Sequence, residues 1–252
     1  MAEVKIMELN KAHFYNIIYN TTFDVHERYN IGTYKEKKLH IILKKYFEPD
    51  DTFHEVPTNG FIADIRRGNV ITEIETSGFS GLLPKLSAYL PEYKVNLVYP
   101  IAAKKYVSWI DPDTCDISKR NRSPKKQTVY DALFELVRIL PHVSDPNLHI
   151  LVPVLEIDEY RMLDGWSYNR KRGSHRFERM PTNLLDIIEI SSDNDYLKYI
   201  PGTCADEFGA KEFAKGCKID SRTASAILKV MQARGVVSRV ANKGRAYRYT
   251  RN

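Results

Sequence analysis

What the chain lacks already narrows its chemistry. Only three of its 252 residues are cysteine, Cys115, Cys204 and Cys217, an odd count with no CxxC pair. That argues against a disulfide framework and against a cysteine-based zinc module. The seven histidines show no HExxH or other short ligand spacing, so each reads as a surface or core residue. Neither GxxxxGKS/T nor GxGxxG occurs, which removes the two commonest sequence signs of a nucleotide cofactor. Long apolar runs are missing too. The stretch Val95–Ala103 is broken by Asn96 and Pro100, far short of the roughly 18 residues a membrane span needs. The first residues, Met-Ala-Glu-Val-Lys-Ile-Met-Glu, carry acids where a secretory leader needs a basic end and an apolar run, so a cytoplasmic protein without membrane contact is expected. There is no internal repeat.

What is present is hydrophobic content of 43% with 28% charged residues, enough to bury a core, over a length that suggests more than one domain. The net charge is +6, and it is unevenly spread. Lys211–Asn252 holds eleven Lys and Arg against Glu212 and Asp220, a net +9 that leaves residues 1–210 at −3. Two further basic clusters stand inside the chain: Lys119, Arg120, Arg122, Lys125 and Lys126, then Arg170, Lys171, Arg172, Arg176 and Arg179 around Gly173. Any one such run is an ordinary solvated face; three in one chain favour a nucleic-acid partner. Lys125 and Lys126 are candidate contacts to it, and the stretch around Gly173 reads as a hairpin tip.

The last fifty residues are punctuated. Phe208, Phe213 and Ala214 mark a short amphipathic helix ending at Gly216, and Asp220 or Ser221 can cap a second. There Ala224, Ile227, Leu228 and Met231 form one apolar stripe at helical spacing, with Arg222, Ser225 and Lys229 opposite. Gly235 ends that helix, Val236-Val237 begins a strand, Asn242-Lys243-Gly244 turns, and Ala246–Tyr249 returns. Helix, turn, helix and basic hairpin resemble the winged helix-turn-helix family over Thr182–Arg251, with Leu184, Leu185, Ile187 and Ile188 expected to form the first of three helices. The resemblance implies DNA contacts by Arg222, Ser225 and Lys229 on the second helix of the pair, and by Lys243, Arg245 and Arg248 on the wing. A protein-binding winged helix is the alternative.

The first half carries acids in a recognisable order. Thr33–Phe47 puts Leu39, Ile42, Leu43 and Tyr46 on one helical face, with Glu36 near its start. Phe61–Ile65 reads as a strand, Arg66–Asn69 as a turn and Val70–Thr76 as its partner. A helix with Leu82, Leu86 and Leu90 follows, then a strand over Lys94–Ile101. Glu73 and Glu75 share a strand face and Asp64 can lie opposite, an oxygen-rich spot suited to a hard divalent cation. A solvent-facing edge strand bearing ordinary surface acids is the other reading.

This order of elements over residues 33–102 resembles the core of the PD-(D/E)XK, or restriction-endonuclease-like, superfamily. The resemblance implies Mg2+ or Mn2+ held by Asp64 and Glu73 with support from Glu36. It sets Glu75 at the position where lysine is usual, with Lys85, in Lys-Leu-Ser-Ala-Tyr89, as its replacement. The expected fold is therefore α/β (α+β): a restriction-endonuclease-like mixed sheet flanked by helices over residues 1–140, a connecting segment over 141–181 with a strand from Leu148 to Ile157, and a winged helix over 182–252. The expected function is Mg-dependent hydrolysis of double-stranded DNA, with a homodimer as one arrangement. The alternatives are a DNA-binding regulator with a degenerate nuclease-like half, and an accessory protein acting on RNA or branched DNA.

Overall fold

A computed structural model describes residues 9–21, 37–165, 173–243 and 246–252, and the side chains of all of these except 241–243. Glu36, Arg245 and Arg170, Lys171 and Arg172 lie outside the described residues. In chain order the α-helices are α1 (Lys11–Asn20), α2 (Lys38–Phe47), α3 (Leu82–Tyr89), α4 (Val129–Glu135), α5 (Asp193–Leu197), α6 (Ala210–Cys217) and α7 (Ser221–Ala233). The strands are β1 (His54–Thr58), β2 (Phe61–Arg67), β3 (Val70–Ile74), β4 (Lys94–Val98), β5 (Ile101–Ile110), β6 (Asn121–Arg122), β7 (Leu148–Met162), β8 (His175–Ile190), β9 (Glu207–Gly209), β10 (Val237–Lys243) and β11 (Ala246–Arg251). The α/β expectation holds. The chain forms two compact units, each drawn from three stretches: Met1–Thr52, Ala102–Gln127 and Pro153–Ile187 in one, Phe53–Ile101, Thr128–Val152 and Ile188–Asn252 in the other.

In the first unit, α2 buries the stripe Leu39, Ile42, Leu43 and Tyr46, and α1 turns Phe14 and Ile17 inward. Phe14 meets Tyr46 edge-on at 5.4 Å between ring centres, an arrangement that suits the charge distribution of aromatic rings. β5 pairs antiparallel with β6, Tyr106 opposite Arg122, and β8 pairs with β7. Glu159 on β7 is 2% exposed and is reached by Lys105 of β5 at 3.2 Å, by Arg161 at 2.9 Å and by Arg176 of β8 at 3.5 Å. Burial alone would raise its pKa, yet these three cations hold it below the usual carboxylate range.

In the second unit the order β1-β2-β3-β4-β7 makes a mixed sheet. β1, β2 and β3 are antiparallel neighbours, while β3 to β4 and β4 to the start of β7 are parallel. The chain passes through α3 between β3 and β4, as a parallel connection requires. The C-terminal strands form a separate three-stranded sheet, β10-β11-β9. α7 buries Ala224, Ile227, Leu228, Val230 and Met231, and the Asp220 side chain accepts the Arg222 and Thr223 amides at its start.

Three sequence expectations need correction. Leu184–Ile188 is extended within β8 rather than helical. Pro181 cannot donate in a helix ladder, and Ile187, Ile188 and Ile190 are β-branched and suit a strand. The helix that joins α6 and α7 is α4, whose Tyr130 ring meets Phe213 of α6 at 6.4 Å. The strand expected over Lys94–Ile101 is two strands broken at Tyr99-Pro100, where proline has no N–H to continue the ladder. The turn expected over Arg66–Asn69 is Gly68-Asn69 alone, since Arg66 and Arg67 end β2 paired with Ile71 and Val70.

Candidate functional site

β3 has hydrogen-bonded neighbours on both sides, which is why an acid on it is taken out of water: Glu73 is 1% exposed. The β2–β3 hairpin sets Ile65 opposite Thr72 and Arg67 opposite Val70, with Gly68 at φ +60 in the turn, a conformation that favours glycine. Asp64, next to Ile65, accepts the Ile74 amide N–H at 2.7 Å through Oδ2. α3 begins after Gly81 and carries Lys85, whose Nζ donates to Glu73 Oε2 at 2.8 Å and to the Ile62 carbonyl at 2.9 Å. One turn on, Tyr89 is wholly buried. Asp64, Glu73 and Lys85 are thus brought together, as the sequence suggested.

The electrostatics are strained. Burial first, and the Asp64 charge second, push the Glu73 carboxyl up to about 7 against the pull of Lys85. Burial opposes the charge on Lys85, but its hydrogen bond to Glu73 and the charges of Glu73, Asp64 and Glu75 raise its pKa all the same. The Tyr89 hydroxyl is raised by burial and by the same acids, Glu73 and Asp64. Two buried atoms of this group, Glu73 Oε1 and the Tyr89 hydroxyl oxygen, have no hydrogen-bond partner among the described residues. Asp64 and Lys85, the two neighbours of Glu73, stand in the wall of a cavity of about 720 Å³ along with Ile62, Asn59 and Glu55; Glu73 and Tyr89 do not line it. Glu55 holds a left-handed backbone, φ 52, and no spacing or motif pointed to its place there.

The three-carboxylate convergence expected from the sequence is not what forms. Among the described residues no group of three or more His, Cys, Asp and Glu side chains is arranged to hold a metal ion. The assigned strand β3 ends at Ile74, and Glu75 donates its amide N–H to the Val98 carbonyl of β4 at 2.9 Å. Its charge is felt by Lys85. Glu36 lies outside the described residues.

Within the C-terminal elements, Arg222, Ser225 and Lys229 stand on the exposed side of α7. Ser225 turns its hydroxyl back to the Ser221 carbonyl at 2.8 Å. Arg248 is engaged internally, with Glu212 at 2.6 Å and with the Glu207 carbonyl. Lys243 closes β10 opposite Ala246; its side chain, and Arg245 as a whole, lie outside the described residues. A cavity of about 690 Å³ runs along this face and adds Lys211, Gln232, Arg239 and Tyr247 to the residues read from sequence. The Arg239 guanidinium sits 3.3 Å from the centre of the Tyr247 ring. Alternation along β10 and β11 was the only signal for that pair. In the first unit, Lys125 and Lys126 are exposed on the loop after β6.

No helix among the described residues is long and apolar enough to cross a membrane. No solved structure matches the chain. An uncharacterized protein of Treponema pallidum (strain Nichols) is 26% identical over 167 residues, which cover 66% of this chain and 64% of that relative. The match therefore takes in less than two thirds of the relative's length. Residues 37–191, more than half of the chain, match the family described as "Domain of unknown function (DUF8091)". That segment contains Asp64, Glu73, Glu75 and Lys85 and ends before α5. The chain belongs to the DUF8091 family.

Proposed function

We propose that the chain is a divalent-metal-dependent nuclease acting on DNA, with a restriction-endonuclease-like centre at Asp64, Glu73 and Lys85 and a winged helix-turn-helix formed by α6, α7 and the β10–β11 hairpin. One observation carries the reading: a buried glutamate, Glu73, keeps one oxygen without a partner among the described residues, next to Asp64 and Lys85, which line a cavity. With Lys85 on Oε2 and Oε1 left open, a metal cation on the open oxygen would relieve the cost of burying this carboxylate. Asp64 and Glu73 would hold Mg2+ or Mn2+, with waters completing a shell that two carboxylates suffice to anchor. When bound, the ion supplies Lewis acidity and lowers the pKa of a coordinated water.

The chain's own residues do the rest. Lys85, reaching Glu73 from α3, offsets negative charge gathering at a phosphodiester, the task given to lysine in the PD-(D/E)XK pattern where Glu75 now stands. Tyr89 offers a hydroxyl with unspent hydrogen-bonding capacity at the same spot. Arg222 and Lys229 on α7 and Arg239 on β10 provide positive charge to phosphates. In gel and fluorescence assays with Mg2+ or Mn2+, the chain should cut duplex DNA, and Asp64→Ala should abolish cutting while keeping DNA affinity near that of the parent. Cutting retained by Asp64→Ala would remove the assignment.

A second reading has its own support: the lack of a three-acid group among the described residues fits a DNA-binding regulator with a degenerate centre. It differs in one measurable respect, salt-sensitive DNA binding that is indifferent to metal, with no cleavage of any substrate.

A further inference from the structure

A second cavity, of about 330 Å³, lies in the first unit and is lined by Ala103, Lys104, Lys105, Arg122, Pro124 and Lys126, together with Ser123. Its size is at the small end of the roughly 300–1,000 Å³ typical of ligand sites. Four of the seven lining residues are cationic and none is acidic, so the wall presents positive charge to anything that enters. Two of the four have carboxylate partners outside the lining: Lys105 has buried Glu159 at 3.2 Å, and Lys104 has Glu156 at 3.7 Å. The Ser123 amide N–H donates to the Lys105 carbonyl at 2.8 Å, which ties the loop to β5. Arg122 and Lys126, both exposed, have no ion pair among the described residues. Half-buried Lys105 anchored by Glu159, exposed Lys104 near Glu156, and Arg122 and Lys126 without ion pairs among the described residues line one cavity, which favours an anion site over a solvated charge run.

We propose that this cavity binds phosphate, and that in the working protein the phosphate belongs to nucleic acid. This rests on the nucleic-acid reading above and assigns that partner a contact remote in sequence from both Asp64 and α7. A hard, multiply charged oxyanion matches four cations; the planar fork of Arg122 takes two of its oxygens, and the lysines supply point charge. The site explains why the loop after β6 is basic.

The test uses the full chain carrying Asp64→Asn, in EDTA, so that binding is read without cleavage. Affinity for a short DNA duplex is measured by fluorescence anisotropy across a salt series, and affinity for inorganic pyrophosphate by calorimetry. The variants are Arg122→Gln with Lys126→Gln, against Lys119→Gln as an exposed charge-loss control outside the cavity. Because both cavity positions are exposed, thermal unfolding should be unchanged. The expected result is a DNA affinity about tenfold lower for the double variant, with the slope of log affinity against log salt reduced by about 1, as for one lost duplex phosphate contact. A loss confined to pyrophosphate also supports phosphate binding and identifies a small phosphate ligand as its source. Equal effects from Lys119→Gln, or no change in either ligand, would overturn the proposal. Cleavage by the parent chain is scored separately, so a protein that binds here and cuts nothing retires the nuclease alone.

Discussion

Replacing Glu73 by Gln should make the protein more stable in alkaline solution, although it removes the ion pair with Lys85. The argument is a matter of proton affinity. The carboxyl rises from its ordinary 4.5 to about 7 in the fold, and each tenfold change in proton affinity is worth about 1.4 kcal/mol. Between those values the folded chain holds a proton that the unfolded chain has released, so stability falls as pH rises through the window. At pH 8 the ionised side chain costs the fold about 3 kcal/mol; at pH 5 the cost is below about 1 kcal/mol. Gln has no charge to desolvate. Lys85 loses its partner in the exchange, but it is 26% exposed and keeps the Ile62 carbonyl, which returns about 1 kcal/mol of the gain. The net expectation is about 2 kcal/mol of added stability at pH 8, a rise in Tm of roughly 4–8 °C for a chain of this size, shrinking to nothing near pH 5. Differential scanning fluorimetry of both proteins from pH 5 to 9, without divalent metal, reads it directly. Parallel profiles for the two, or a Glu73→Gln protein less stable at pH 8, would refute the claim that Glu73 is a destabilised carboxylate.

Adding Mg2+ at pH 8 should raise the Tm of the parent by an amount set by its excess over Kd, about 2.7 kcal/mol at a hundredfold excess, and should leave Glu73→Gln unmoved; EDTA should reverse the shift. Tyr89→Phe removes a buried hydroxyl without a partner and should gain about 1 kcal/mol in urea unfolding, while slowing any cleavage in which that hydroxyl takes part. Arg234 is 13% exposed at its side chain and binds Asp193 at 2.7 Å and the Val143 and Ser191 carbonyls at 3.0 Å each. Arg234→Ala should cost about 2–4 kcal/mol in the same assay, and should weaken DNA binding only through loss of fold.

The hairpin was legible because its signals are short-range. Gly68-Asn69 supplies the turn, tighter than the four residues read from sequence, and the residues on either side alternate, so Asp64 and Glu73 were bound to meet. Lys85 and Tyr89 followed from helical spacing. What sequence could not supply was that Asp64, Glu73 and Glu75 do not form a three-acid metal group, since that depends on side-chain directions rather than on spacing along β3. The apolar run Leu184–Ile188 carried no period of its own, and pairing with β7, including the Thr182 hydroxyl donated to the Glu156 carbonyl, decided it. Charge arithmetic misled in another way. Of the basic residues in the C-terminal +9, Arg234 ties α7 to two carbonyls, Arg248 pairs with Glu212, and Arg251 donates to the carbonyls of Pro201 and Cys204. These guanidinium groups act as internal struts. A count of charges does not distinguish a strut from a surface contact, whereas Arg222 and Lys229 do point outward.

The interleaving of the two units has a consequence for anyone wishing to dissect this protein genetically. The chain crosses between them at residues 52, 101, 127, 152 and 187, so no single stop codon or new start codon releases either one whole. A truncation before α6 would strip the C-terminal helices from the very unit that houses Asp64 and Glu73, exposing the apolar faces of α4 and its neighbours. Loss of function in such a deletion would therefore report collapse rather than the removal of a module, and point substitutions in the intact polypeptide are the informative instrument.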